Sequence, residues 1–317
     1  MQQAPYSVDF DNGITAIDVE YVRPMLDASH LVLHRGRAAF VDTGTSHSVP
    51  GLLQAMADRG ISPEQVDYVF VTHVHLDHAG GAGALMQALP NAVAVVHPRG
   101  ARHLAEPEKL IAGTRAVYGD EAFERMYGDI IPIPAERIHV PEDGETLELA
   151  GRPLRVMFTE GHARHHYCLV DPDAAGVFTG DSFGISYRDL DSDSGPFIFP
   201  TTTPVHFDPE AAHQAVDRIM GLGPRYLFLT HFSRVEALPR LARAMHECLD
   251  GFVALACKYR DHDDRSNMMQ RAMFEFLDDR LDAGGFTGDK DQRHRILDDD
   301  VRLNVQGLEF WLDHSDQ

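Results

Sequence analysis

Apolar positions in the first half of the chain fall in short runs, separated by turn residues and by segments of helical period. Ala38-Ala39-Phe40-Val41, closed by Asp42-Thr43-Gly44, predicts a strand and a turn. Ser48 and Pro50 then offer an N-cap and a first-turn proline. Leu52, Leu53 and Met56 repeat at helical spacing until Gly60. Val66 to Val71 is almost continuously apolar, the pattern of a strand buried on both faces. A helix over 80–89 and a second buried strand over 92–96 follow. This βαβαβ pattern predicts a mixed or parallel sheet with helices packed outside it.

The stretch 100–131 lacks strand character and reads as one or two inserted helices carrying Leu104, Leu110, Ile111, Val117, Phe123 and Met126. Strands return at 147–149, 154–158, 167–170, 176–179 and 226–229. After His231 the period becomes helical. One apolar stripe runs from Leu241 to Ala256, a second from Met268 to Leu281 that Gly284-Gly285 stops, and a third from Val301 to Leu312. The stripes are expected to pack as core, and the Asp-rich segment 278–300 to face solvent.

Charge then narrows the function classes. Lys and Arg total 28 against 49 Asp and Glu, a net charge of −21. Such a chain repels phosphate backbones and anionic headgroups, so neither nucleic acid nor membrane is an expected partner. Three cysteines without a C-x-x-C, no basic-apolar leader and no long apolar run are the expectation for a cytoplasmic protein. The 19 histidines occur without any His-rich tract.

Thr72-His73-Val74-His75-Leu76-Asp77-His78 follows the strand 66–71 directly. Imidazole nitrogen and carboxylate oxygen are ligands that zinc, iron and manganese accept. In a turn, His73 and His75 can converge on one cation while Asp77 and His78 face a second. Gly161-His162, Gly180-Asp181 and Thr230-His231 lie at or close after three further strands. Ligand-type residues at the carboxyl ends of several strands are where open α/β folds gather their sites.

The H-x-H-x-D-H at 73–78, the G-H at His162, the T-G-D at Asp181 and the T-H at His231 resemble, in order, the metallo-β-lactamase-fold hydrolase superfamily. Within it the chain is similar to glyoxalase II-like and lactonase-like members over roughly residues 8–235. The resemblance implies an α/β (α+β) fold, a four-layer αββα sandwich of two mixed β-sheets flanked by helices. The metallohydrolase domain would span 1–235, with its helical insert at about 100–131. A helical C-terminal region, 236–317, would pack on it. The resemblance further implies two divalent transition-metal ions, zinc by first choice with iron or manganese as alternatives. His73, His75 and His162 would bind the first, Asp77, His78 and His231 the second, and Asp181 would bridge them. Asp42 matches the family's aspartate before the first helix and is expected, with His166, to hold the ligands in place. His165 is expected to be an exposed bystander.

Asp181 in place of a cysteine ligand argues against antibiotic hydrolysis, and His75 in place of glutamate argues against a diiron oxygen reductase. Two divalent ions sharing one water lower its pKa toward 7, so a metal-bridged hydroxide is the expected nucleophile. Asp77 is expected to take part in the proton transfer as well as to ligate, and Asp181 to be catalytic through its bridging position. The insert, the loop 183–204 with Phe197, Phe199 and Thr201–Thr203, and the C-terminal helices are expected to wall a pocket of apolar character. That lining favours a small-molecule acyl substrate, an ester, thioester or lactone. Lys258-Tyr259-Arg260 is a candidate for peptide carboxylates, with a solvated helix end as the plainer reading. The alternatives are a metal-containing ligand-binding or regulatory protein with little turnover, or a small-molecule phosphodiesterase. A homo-oligomer is compatible with the sequence.

Overall fold

Among the described residues thirteen strands build two mixed sheets. The computed structural model describes residues 6–202 and 205–314, so Thr203 and Pro204 of the loop 183–204 lie outside it. The first sheet runs in chain order: β1 (Ser7–Phe10), β2 (Ile14–Asp18), β3 (Ala28–His34), β4 (Arg37–Val41), β5 (Val66–Val71), β6 (Val93–Val96) and β7 (Ile138–His139). The first four strands are antiparallel, and β4 to β7 are parallel. The second sheet has the order β13-β12-β11-β10-β9-β8, with β8 (Thr146–Leu149), β9 (Arg152–Phe158), β10 (Tyr167–Asp171), β11 (Gly176–Gly180), β12 (Tyr226–Leu229) and β13 (Ser233–Glu236). Its β11–β12 pair is parallel and the pairs from β8 to β11 antiparallel.

The chain clusters into two compact units. The first runs to Phe158 and takes in His165–Gly180 and Arg225–Arg234. The second comprises Thr159–Arg164, Asp181–Pro224 and the chain from Val235. In the first unit the two sheets pack face to face through Val32, Val41 and Phe70 on one side and Val156, Leu169 and Phe178 on the other. Helices α1 (Val49–Asp58), α2 (Leu76–Ala79) and α3 (Ala82–Ala88) cover the outer face of the first sheet, with Leu52, Met56, Leu85 and Met86 in the same apolar cluster as Phe40, Val69 and Val71. β5 is apolar almost throughout because it is flanked on both faces, as parallel strands are.

The insert forms α4 (Ala101–Ala105), α5 (Glu108–Tyr118) and α6 (Asp120–Tyr127). Phe123 and Tyr127 of α6 bury against Leu76, the neighbour of Asp77, with Tyr21 alongside. The second unit carries α7 (Pro209–Gly221), α8 (Pro239–Tyr259), α9 (Arg265–Ala283) and α10 (Lys290–His314). The three C-terminal stripes are its buried faces: Met245 and Phe252 on α8, Met273 and Leu277 on α9, Val301 and Leu308 on α10. Among the described residues no helix is long and apolar enough to cross a membrane.

Candidate metal centre

The first group of ligand-type residues lies in the first unit, where β5 gives way to the turn 72–75 and α2. Asp42, buried at the end of β4, organises that turn. Its carboxylate accepts from the Thr72 amide at 2.8 Å, from the Thr72 hydroxyl at 2.9 Å and from the Thr230 hydroxyl at 2.8 Å. It also lies 2.8 Å from His78 Nδ1. An ionised carboxylate only accepts, so that nitrogen carries the proton and Nε2 the lone pair.

The same logic repeats at His231, whose Nδ1 lies 2.6 Å from the carboxylate of fully buried Asp27. Burial pushes the Asp27 carboxyl above its usual range, and the neighbouring His231 opposes that shift. The two Nε2 atoms face one carboxylate: Asp77 Oδ2 is 3.6 Å from that of His78 and 3.8 Å from that of His231. Asp77, His78 and His231 each bring a ligand atom within 4.8 Å of the others. Carboxylates behind imidazoles that share one focus are the outer support a metal-binding histidine requires. The donors fit a divalent cation.

His73 and His75 form the other half of the motif. His73 Nδ1 lies 3.2 Å from the Thr72 hydroxyl, and its Nε2 lies 2.9 Å from His75 Nδ1. Two nitrogens about 2.1 Å from a tetrahedral cation stand roughly 3.4 Å apart, so a small opening of this pair admits one. His166 is fully buried with its ring centroid 4.9 Å from that of His73. Gly180, at φ +47°, lets the second sheet approach this ring. A β-carbon there would sit 2.6 Å from His166 Nε2 and 2.8 Å from the Thr72 hydroxyl. His165 corrects an expectation: it is 7% exposed, with its ring 5.7 Å from that of His75 and 6.4 Å from that of His103. It is a buried neighbour of the motif, where the sequence reads as exposed.

His162 and Asp181 lie in the second unit. His162 Nδ1 is 3.2 Å from the Thr201 carbonyl and its Nε2 3.3 Å from Asp181 Oδ2, so this ring too is held from behind. Gly161 at φ +129° permits the approach of α7, since a β-carbon there would lie 2.5 Å from the Ala212 backbone. A cavity of about 10 Å³, room for one water, is lined by His162, Asp181, Thr201, Met245 and Leu249. Loop and α8 side chains therefore wall this pair. Lys258 and Arg260 are exposed at the end of α8.

Asp27 escaped the sequence reading. It precedes β3 with no motif around it, and an aspartate before a strand is an ordinary turn residue. Its role comes from a carboxylate buried beside a histidine some two hundred residues away in sequence.

Residues 24–231 match the metallo-beta-lactamase superfamily model. The chain belongs to that superfamily. Over 301 residues, 94% of this chain and 95% of the other, it is 28% identical to a metallo-beta-lactamase fold-containing protein of Sulfurisphaera tokodaii. It is 30% identical over 145 residues to a hydroxyacylglutathione hydrolase of Synechococcus sp., covering 46% of this chain and 43% of that one. A metallo-beta-lactamase family protein of Thermus thermophilus superposes with a TM-score of 0.64 at 20% identity, over 96% of this chain and 94% of that one, which speaks to the fold.

Proposed function

We propose that this protein is a dinuclear metal-dependent hydrolase of a carboxylic ester, thioester or lactone. The observation that carries the reading is the way the histidines are held. His78, His231 and His162 each have Nδ1 against a carboxylate or carbonyl acceptor, and His73 has Nδ1 against a hydroxyl, which leaves Nε2 for a cation. His73, His75 and His162 are assigned to one divalent ion, Asp77, His78 and His231 to the other, and Asp181 to both. Zinc is the first choice, with iron or manganese as alternatives. Divalent ions held by these residues would supply an acidified water and a Lewis acid for the scissile carbonyl.

The chain's own groups supply the rest. Asp77 is the most exposed of its trio, at 23%, and can pass a proton between solvent and the leaving oxygen or sulfur. The buried carboxylates of Asp42 and Asp27 orient His78 and His231. Met245 and Leu249 give the His162–Asp181 pair an apolar wall. The hydroxyacylglutathione hydrolase among the relatives supports a thioester or ester as the substrate class.

Rates on acyl thioesters, lactones and bis-aryl phosphodiesters, measured side by side near neutral pH with zinc or manganese, test the reading. We expect an acyl substrate to turn over fastest, and Asp181→Ala to lose orders of magnitude while retaining its circular dichroism spectrum. Preferred phosphodiester turnover overturns the acyl assignment. No turnover of any substrate by metal-loaded protein favours a binding protein.

A further inference from the structure

Among the buried residues Val301, Val305, Leu308 and Leu312, α10 also buries a polar side chain, Asn304, 1% exposed. Asparagine is a poor helix former, and a buried amide is costly unless it is hydrogen-bonded. Both ends of this amide reach the segment 200–202. Oδ1 accepts from the Thr202 amide, 102 residues earlier, at 2.5 Å, and Nδ2 donates to the Pro200 carbonyl at 3.3 Å. The Thr202 hydroxyl donates to the Asn304 carbonyl at 2.9 Å. Thr202 is fully buried, and all of these residues belong to the second unit.

These bonds bracket Thr201. Its carbonyl and the Thr202 amide are opposite edges of one planar peptide, and in a trans peptide the C=O and N–H point in opposite directions. Asn304 holds the N–H edge. His162 Nδ1 lies against the C=O edge, 3.2 Å from the oxygen. The preceding peptide is held as well, through the Pro200 carbonyl, so turning the Thr201 carbonyl away from His162 breaks bonds to α10. A carbonyl oxygen only accepts, so a neutral His162 carries its proton on Nδ1 and keeps its lone pair on Nε2. That nitrogen is the one 3.3 Å from Asp181 Oδ2.

We propose that Asn304 is a positioning residue for His162: through the Thr201–Thr202 peptide, the C-terminal helix fixes which nitrogen of this imidazole carries the proton and which is offered to a cation. The inference rests on the reading of His162 as a metal ligand. Two effects act in the same direction. The held peptide keeps its carbonyl aimed at Nδ1. A peptide whose N–H already donates also has a more negative carbonyl oxygen, which holds the Nδ1 proton more firmly and makes Nε2 the better ligand. The plainer role, a polar tie between α10 and the loop, would change stability and leave His162 as it is.

Long-range proton–nitrogen NMR of the metal-free whole chain reads the His162 tautomer directly at mildly alkaline pH, where imidazole is neutral. His162→Gln assigns the signals. The wild type should carry the proton on Nδ1. Asn304→Leu suits the apolar stripe but holds neither peptide, and the proton should shift toward Nε2. Thr202→Val removes the hydroxyl bond to α10 but keeps the Thr202 amide on Asn304 Oδ1, so its His162 tautomer should match the wild type. In competition with a chelator, Asn304→Leu should hold zinc about 10–100-fold more weakly than the wild type. Should Asn304→Leu lose its cooperative melting transition, Asn304→Ala replaces it. A wild-type proton on Nε2, a tautomer unchanged in the Asn304 variant, an equal shift in Thr202→Val, or zinc held equally tightly overturns the proposal. Wild-type protein that takes up no zinc would instead sink the metal reading, and the tautomer, measured without metal, would still decide the role of Asn304.

Discussion

At the scale of single residues, the site depends on which nitrogen of each imidazole is held. Asp42 and Asp27 act through His78 and His231, and neither faces the point where those two rings meet Asp77. Asp27→Asn keeps the size of the side chain but presents an amide that is a weaker acceptor and can turn a donor toward His231. Loss of such an outer partner costs about 10–100-fold in metal affinity. Competition with a chromogenic chelator should show that loss for Asp27→Asn with the melting transition still cooperative. Unchanged affinity would make Asp27 a structural carboxylate only. His165 teaches a related lesson: beside His166 in sequence it reads as a surface residue, yet the turn 161–166 buries both.

At the scale of elements, one buried ion pair ties the second sheet together. Arg152 opens β9 and Asp171 closes β10, with side chains 1% and 0% exposed. Arg152 Nε lies 3.0 Å from Asp171 Oδ2, and Nη1 donates at 2.6 Å to the Asn12 carbonyl in the turn between β1 and β2. Burial raises the Asp171 carboxyl above its usual range, and the Arg152 guanidinium counters this. Removing one partner leaves an uncompensated buried charge, which costs about 3–5 kcal/mol. Urea unfolding of Asp171→Ala should show a loss of that size. Arg102→Ala, which breaks an exposed pair with Glu106 on α4, should change stability by about 0.5 kcal/mol or less. Similar values for the two variants would refute the weight given to burial.

At the scale of the whole molecule, buried neutral histidines set the acid limit. Burial pushes His30 and His97 down to about 4 from an ordinary 6.5. The unfolded chain therefore takes up these protons below about pH 6.5, whereas the folded protein does not until about pH 4. The stability they contribute is complete above pH 6.5 and is lost as pH falls through that window, at about 1.4 kcal/mol per pH unit for each group. Stability followed from pH 7 to pH 4.5 should fall steeply. In His30→Gln the slope should be shallower by about one proton, and an identical slope would remove His30 from the account.

What the sequence determined by itself is the part written in contiguous pattern. β4, α1, β5 and β6 were legible because parallel strands buried on both faces must be apolar throughout and the helix between them must be amphipathic. The seven ligand-type residues were legible because they follow strand ends in short motifs. The helical insert and the three C-terminal helices showed their period. β1 to β3 and β13 escaped, since SVDF, ITAID and SRVE are short and mixed. In ASHLVLH, Ser29 and His30 are buried polar residues that interrupt the apolar run. α7 escaped although Asp208 caps it through the Ala211 amide and Pro209 opens it. Only the tertiary structure decided which nitrogen each histidine presents, that Asp27 stands behind His231, and that His165 is buried. Each of these is a contact between side chains remote in sequence, and hydrogen-bond direction and burial are properties of the assembled neighbours that no local pattern encodes.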